Sequence, residues 1–189
     1  MPKKVDPEER RRLIADALMR VAAEQGLESV SLRHVAARAG VSAGMVQHYF
    51  RTRDEMMAFA LSVVRERSQI RVTDAVAGLG ANPPPRQLLR TMIAALLPLD
   101  EPSRDNGRVA LAFLAYTAVR PAAAAELHED TAQLVGFVAN MLGVADPVGA
   151  ASGLLALMEG LGIYLLGGQY TAEQALRALD AHLDLLLPS

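Results

Sequence analysis

From Pro7 onward, apolar residues return every three or four positions and nowhere alternate over a run, so the pattern predicts helices throughout and no strand. The first helix opens at Asp6-Pro7, a side-chain acceptor followed by a ring already set at helical φ, with Glu8 and Glu9 at the positive end of the helix dipole. Leu13, Ile14, Ala17, Leu18, Val21 and Ala22 form its expected buried stripe, and Gly26 its left-handed stop. Ser31 caps a helix from Leu32 to about Ala39, Gly40 ends it, and Ser42 caps the next, from Ala43 to about Phe50. Only Gly40-Val41-Ser42 separate these two short helices, and a connection so tight forces the sharp crossing of a helix-turn-helix. Thr52 and Glu55 spell a capping box that opens a long helix, with Met56, Phe59, Ala60, Val63 and Val64 as its stripe. It runs toward Leu79 and stops at the Gly- and Pro-rich stretch from Gly78 to Arg86.

Further helices are expected near 84–97, 103–119, 121–142, 147–166 and 172–187, set off by Pro98, Pro102, Pro121, Gly143, Asp146-Pro147, Gly167-Gly168, a capping box from Thr171 to Gln174, and Pro188. The fold class is therefore all-α, with about nine helices. A three-helix unit containing the helix-turn-helix is expected over residues 6–52, and a second helical domain over residues 53–189.

Charge assigns the two parts different partners. The first 67 residues carry 12 Lys and Arg against 9 Asp and Glu, whereas the rest carries 7 against 12. A basic front and an acidic rear direct a polyanion to the front. The absence of Cys excludes disulfides, thiolate catalysis and Cys-ligated metal, and suits a reducing compartment. The charged beginning lacks the apolar run of a secretory signal. The longest apolar stretch, Gly153 to Gly168, is short for a bilayer and is interrupted by Glu159. The expectation is a soluble cytoplasmic protein with no membrane partner. Catalytic signatures are missing as well: no His pair at metal-ligand spacing, no Gly-rich phosphate loop, no nucleophile elbow. His34, His48, His128 and His182 are scattered, and His128-Glu129-Asp130 diverge around a helix. The chain reads as a non-enzyme without metal or cofactor.

The stretch from Gly40 to Asp54 carries the functional chemistry. Val41, Val46 and Phe50 should point into a three-helix core with Val35, Ala36 and Leu18, which leaves Ala43, Gly44, Met45, Gln47 and His48 outward. Gln47 can offer donor and acceptor together to an adenine edge, His48 can donate to a guanine, and Gly44 lets backbone approach the groove floor. The amides behind Ser42, the Tyr49 hydroxyl and Arg53 at a helix start suit phosphate oxygens. Arg51, Lys3 and Lys4 read as general electrostatics, and His34 as a surface residue.

The run "SLRHVAARAGVSAGMVQHYFRTRDEMM", preceded by a helix ending "VAAEQG", resembles the DNA-binding domain of the tetracycline-repressor (TetR) family of bacterial transcription regulators over about residues 8–57. The resemblance implies a homodimer with two DNA-binding heads, a helical regulatory domain, and a small-molecule effector that releases a double-stranded DNA operator. The family's DNA-contacting positions fall on Ser31, Ser42, Ala43, Gly44, Gln47, His48, Tyr49 and Arg53. Position 43, often Lys or Arg in the family, is Ala here, and position 47, commonly Tyr, is Gln, so the recognition helix has no cation of its own.

In the rear half, Met92, Leu96, Phe113, Tyr116, Phe137, Met141, Met158 and Tyr164 are candidates to surround an effector, with Asn140 and Glu159 as polar groups that orient it. Gly153, Gly160 and Gly162, with Ala150, Ala151 and Ala156, permit close helix approach, and Leu176, Leu179, Leu183 and Leu186 stripe the last helix. Two helices per subunit meeting their twofold copies would give a homodimer interface of four. The combined reading is a ligand-responsive regulator that acts as a repressor on a palindromic operator. The alternative is a helical small-molecule binding protein that no longer reads DNA sequence.

Overall fold

The computed structural model describes residues 6–118 and 121–187, with the side chains of residues 28 and 121–127 excepted. Lys3, Lys4 and Pro188 lie outside the described residues. In chain order the elements are α1 (Pro7–Gln25), a 3-10 turn (Leu27–Ser29), α2 (Leu32–Ala39), α3 (Ala43–Tyr49), α4 (Arg53–Ala77), α5 (Pro85–Leu96), α6 (Glu101–Ala118), α7 (Pro121–Ala139), α8 (Pro147–Leu166) and α9 (Ala172–Leu186). Among the described residues there are nine α-helices and no strand, as the periodicity predicts.

Side-chain caps set the helix starts. Asp6 accepts the Glu8 N–H at 3.0 Å, Ser31 that of His34 at 3.2 Å, Ser42 that of Met45 at 3.1 Å and Thr52 that of Glu55 at 3.0 Å. Thr171 and Gln174 close a reciprocal box at 3.2 and 2.8 Å. At α4 the reciprocal half of the expected box shifts by one residue, because Glu55 accepts the N–H of Arg51 and not that of Thr52. Gly40 takes the left-handed conformation, φ 67° and ψ 30°, and so ends α2 as expected. Gly26 differs: its φ is 78° but its ψ is 164°, which turns the chain out of α1 into the 3-10 turn without a left-handed helical step.

By packing, the chain divides into two compact units. The first holds residues up to Arg67 together with Arg108–Tyr116, and the second holds Ser68–Gly107 and Thr117 onward. The division falls inside α4 and inside α6, whereas the sequence suggested a boundary at residue 53.

In the first unit, Ile14, Leu18, Val35, Val46, Phe50, Met56, Met57 and Ala60 form a core from α1 to α4, joined by Val109, Phe113 and Tyr116 of α6. Leu13, expected in the α1 stripe, is 41% exposed. At 100° per residue it lies about 140° around the helix from Leu18, off the stripe that Ile14, Leu18 and Ala22 define. Arg12 to Glu66 and Arg67 to Asp16, at 2.9 and 2.7 Å, join α1 to α4 at the surface. The Arg11 guanidinium lies 5.2 Å from the Phe50 ring and 4.5 Å from the Phe59 ring, a cation-π arrangement that pins α1 over the end of α3.

In the second unit, Leu89, Ile93 and Leu97 pack with Val138, Leu142, Leu154, Leu161, Leu165, Leu179 and Leu183. Arg90 grips Asp180 through Nε and Nη2 at 2.6 and 3.1 Å, and Arg86 reaches Asp184 at 2.7 Å, so α5 is held along α9. The Asp180 hydrogen bond raises the Arg90 pKa above its ordinary value. Gly107 admits the α5–α6 connection: a Cβ there would lie 3.3 Å from Pro98 Cβ and 3.4 Å from Leu166.

Candidate nucleic-acid interface

α3 is a seven-residue helix with one fully buried position, Val46. Its two ends are anchored differently. Ser42 caps the start, and Phe50, with extended backbone and a side chain wholly buried against the α1–α4 core, holds the end. Between these anchors Ala43, Gly44, Gln47 and His48 are exposed and Met45 is half-buried, as is Val41 just before Ser42. The faces are those the apolar spacing predicts. Ser42 is exposed with its hydroxyl turned back to the Met45 amide, so the first turn of α3 presents backbone N–H groups next to a small, open surface.

Tyr49 is half-buried, packs on the core and meets the His48 ring edge-on at 5.2 Å between centroids. His48 is therefore oriented by an aromatic neighbour. Ser31 is half-buried at the start of α2, where its hydroxyl is engaged by His34. His34 in turn donates from Nδ1 to the Ser29 carbonyl at 2.7 Å, which ties α2 to the 3-10 turn. Glu24 and Arg38 pair across α1 and α2.

Arg53 departs from the expected phosphate contact. Its Nη2 donates to the Leu27 carbonyl at 2.5 Å, its guanidinium lies 6.0 Å from the Tyr116 ring, and its Nε is screened from solvent. The side chain is turned into the unit, where the Leu27 carbonyl, already accepting the Val30 N–H at 3.0 Å, takes the guanidinium on its second lone pair. Tyr116 donates its hydroxyl to Asp54 at 2.6 Å, so the first turn of α4 is held from two sides. Composition and spacing missed these roles; an Arg at a helix start reads as an anion contact until a tertiary acceptor is known.

The comparisons with known proteins meet this geometry at the same residues. Residues 14–58 match the family "Bacterial regulatory proteins, tetR family", and residues 85–188 match "BetI-type transcriptional repressor, C-terminal". The chain belongs to the TetR family. A BetI transcriptional regulator of Burkholderia thailandensis is 32% identical over 99% of this chain and 98% of its own length. The regulator PksA of Bacillus subtilis is 39% identical over 61% of this chain, an alignment that spans 55% of that relative. The crystal structure of a transcriptional regulator from Rhodococcus sp. Rha1 superposes with a TM-score of 0.85, at 34% identity over 97% of this chain and 96% of that one. A regulator from Saccharomonospora viridis, solved in complex with choline, shares the fold with a TM-score of 0.80 at 21% identity, over 94% and 96% of the two chains.

As a TetR-family member the chain is a DNA-binding transcriptional regulator and not an enzyme. Among the described residues no cluster of His, Asp and Glu could hold a metal ion.

In this TetR-family chain Phe113 and Tyr116 lie in the core of the first unit, and the other eight rear-half candidates belong to the second. The reason is that α6 buries Val109, Phe113 and Tyr116, three residues on one face, against the head. In the second unit Met92, Leu96, Met141 and Met158 are half-buried, whereas Asn140 is exposed, Phe137 is 48% exposed and Tyr164 is 46% exposed. Tyr164 packs edge-on to Tyr170, with centroids 4.9 Å apart. Glu159 is exposed too, yet the apolar atoms crowding its carboxyl raise its pKa above the ordinary carboxylate value by desolvation.

Proposed function

We propose that this TetR-family regulator is a ligand-responsive homodimeric repressor that binds a palindromic double-stranded operator through α3 and works in the cytoplasm. The observation that carries the DNA reading is the outward face of α3. Ala43, Gly44, Gln47 and His48 are exposed on a helix whose opposite face is locked into a core, and the face is small enough to enter a major groove. Gln47 and His48 are the base readers, Gly44 and Ala43 permit close approach, and the first-turn amides with Ser42, Ser31 and Tyr49 serve the phosphates. Arg53 acts from behind, by holding the α1–α2 corner.

Dimerisation is supported by α8. It is long and apolar enough to cross a bilayer by length and composition, yet only 28% of its most apolar 18-residue window is buried within the chain. Val148, Ser152, Ala156, Glu159 and Ile163, spaced four, four, three and four apart, form one exposed stripe along it. A second copy of α8 and α9 covers such a stripe, and small residues let the backbones come close. Two heads related by a twofold axis require half-sites about 34–36 Å apart, or a multiple of that.

The effector belongs to the second unit, beside the half-buried Met92, Leu96, Met141 and Met158. The choline complex of the Saccharomonospora viridis protein supports a small-molecule site in a chain of this fold. Because α4 runs uninterrupted from Arg53 to Ala77, a ligand that favours one disposition of its C-terminal half shifts the population of DNA-competent dimers. Selection of bound sequences from a random duplex library at moderate salt tests the reading. An enriched palindrome supports it; binding without enrichment that vanishes as salt rises overturns it.

A further inference from the structure

Arg71 lies on α4 in the second unit, half-buried, with Nε and Nη1 screened from solvent and without a hydrogen-bond acceptor. The other arginines of that unit on α5 and α9 are satisfied: Arg86 by Asp184, Arg90 by Asp180 and Arg177 by Glu173. A guanidinium keeps its charge at every physiological pH, and screened donors left without acceptors are costly. Arg71 acts by its charge on Asp100, at the α5–α6 connection. The buried Ser103 hydroxyl and backbone N–H hold the Asp100 carboxyl below its ordinary range, with the Arg71 charge adding to them. Ser103 N–H occupies Asp100 Oδ1 at 2.8 Å, and no hydrogen bond joins Asp100 to Arg71. Arg71 is thus a fixed positive charge with two screened nitrogens that no acceptor among the described residues meets.

We propose that Arg71 is the seat of an oxyanion, so that the effector of this regulator carries a carboxylate or phosphate group on an apolar body. The proposal rests on the effector-responsive reading above and names the chemistry of its ligand. An oxyanion supplies acceptors to both orphaned nitrogens, and guanidinium matches its geometry better than any other side chain. The half-buried Met92, Leu96, Met141 and Met158 of the same unit suit an apolar remainder. A cationic effector would bring like charge toward that guanidinium.

The test uses the full-length protein, native and as Arg71→Met and Arg71→Lys. Its probes are octanoate, with octanol and octyltrimethylammonium as neutral and cationic counterparts at matched ionic strength. Two quantities are read: the Tm without probe, and probe affinity by titration calorimetry. Replacing a half-buried cation whose screened nitrogens lack acceptors by an apolar side chain of similar length is neutral or stabilising. Arg71→Met is therefore expected to melt at or above the native Tm. Octanoate is expected to bind the native protein, at least tenfold more weakly to Arg71→Met and at an intermediate affinity to Arg71→Lys. Neither counterpart distinguishes native from variant. A lower Tm for probe-free Arg71→Met makes the side chain structural and overturns the proposal, as does octanoate binding equally to native and variant or to neither. Operator binding by the probe-free native protein, measured in parallel, reports separately on the repressor reading: its failure with octanoate selectivity intact would sink that reading and leave the oxyanion seat.

Discussion

Gln47 and Arg53 stand six residues apart and point in opposite directions, Gln47 out to solvent and Arg53 into the protein. Gln47→Ala removes a bidentate partner for a base edge and nothing from the core. The expected outcome is a loss of about 1–3 kcal/mol on the preferred sequence only, with an unchanged salt slope, checked by binding isotherms on matched and mismatched duplexes. Arg53→Ala leaves the Leu27 carbonyl with the Val30 N–H alone and Tyr116 and Asp54 to hold the start of α4. It should lower the Tm and weaken all sequences alike, while the slope of log affinity against log salt stays that of the native protein. A slope reduced by about one would return Arg53 to the phosphates. Glu159 yields a prediction in pH. Its carboxyl is raised above the ordinary value, so its ionisation opposes folding once pH exceeds the unfolded-state value, and the penalty is absent below it. Glu159→Gln should therefore be at least as stable as the native chain at pH 7. The difference should close as pH falls below about 4.3, the ordinary glutamate value; denaturant midpoints at pH 4 and 7 would show it.

At the scale of elements, the helix-turn-helix depends on a three-residue connection. Gly40 at φ 67° has open space where a Cβ would stand, so Gly40→Ala meets no clash and costs only the left-handed conformation, about 1–2 kcal/mol. Ser42→Ala removes the acceptor for Met45 N–H and should cost about 1 kcal/mol. Urea unfolding of the full-length protein measures both. If Gly40→Ala proved neutral, the turn would be relaxing to another geometry. The start and stop of each of these helices were legible because caps and glycines act over a few residues. The 3-10 turn at Leu27–Ser29 was not, since it depends on the Gly26 backbone and on Arg53, far along the chain. The α4 box shifted for a similar reason, with Glu55 taking the amide of Arg51.

For the whole molecule, the exposed stripe of α8 makes association the decisive property. Ala156→Arg places a long charged side chain at an exposed position of that stripe without touching the core of its own chain. The expected outcome is a folded monomer by sedimentation equilibrium, with operator affinity reduced to that of a single head. A variant that stays dimeric would move the interface elsewhere. By itself the sequence determined the all-helical class, the caps, the Gly-Val-Ser turn, the inward set Val46 and Phe50 and the outward set Gln47 and His48. Each of these follows from chemistry within one or two helical turns. Only the tertiary structure decided that Arg53 turns inward, that Phe113 and Tyr116 complete the head's core, that α8 leaves the stripe from Val148 to Ile163 exposed and that two Arg71 nitrogens meet no acceptor among the described residues. Helical periodicity shows that a face is apolar or charged, but what meets that face is set by residues tens of positions away.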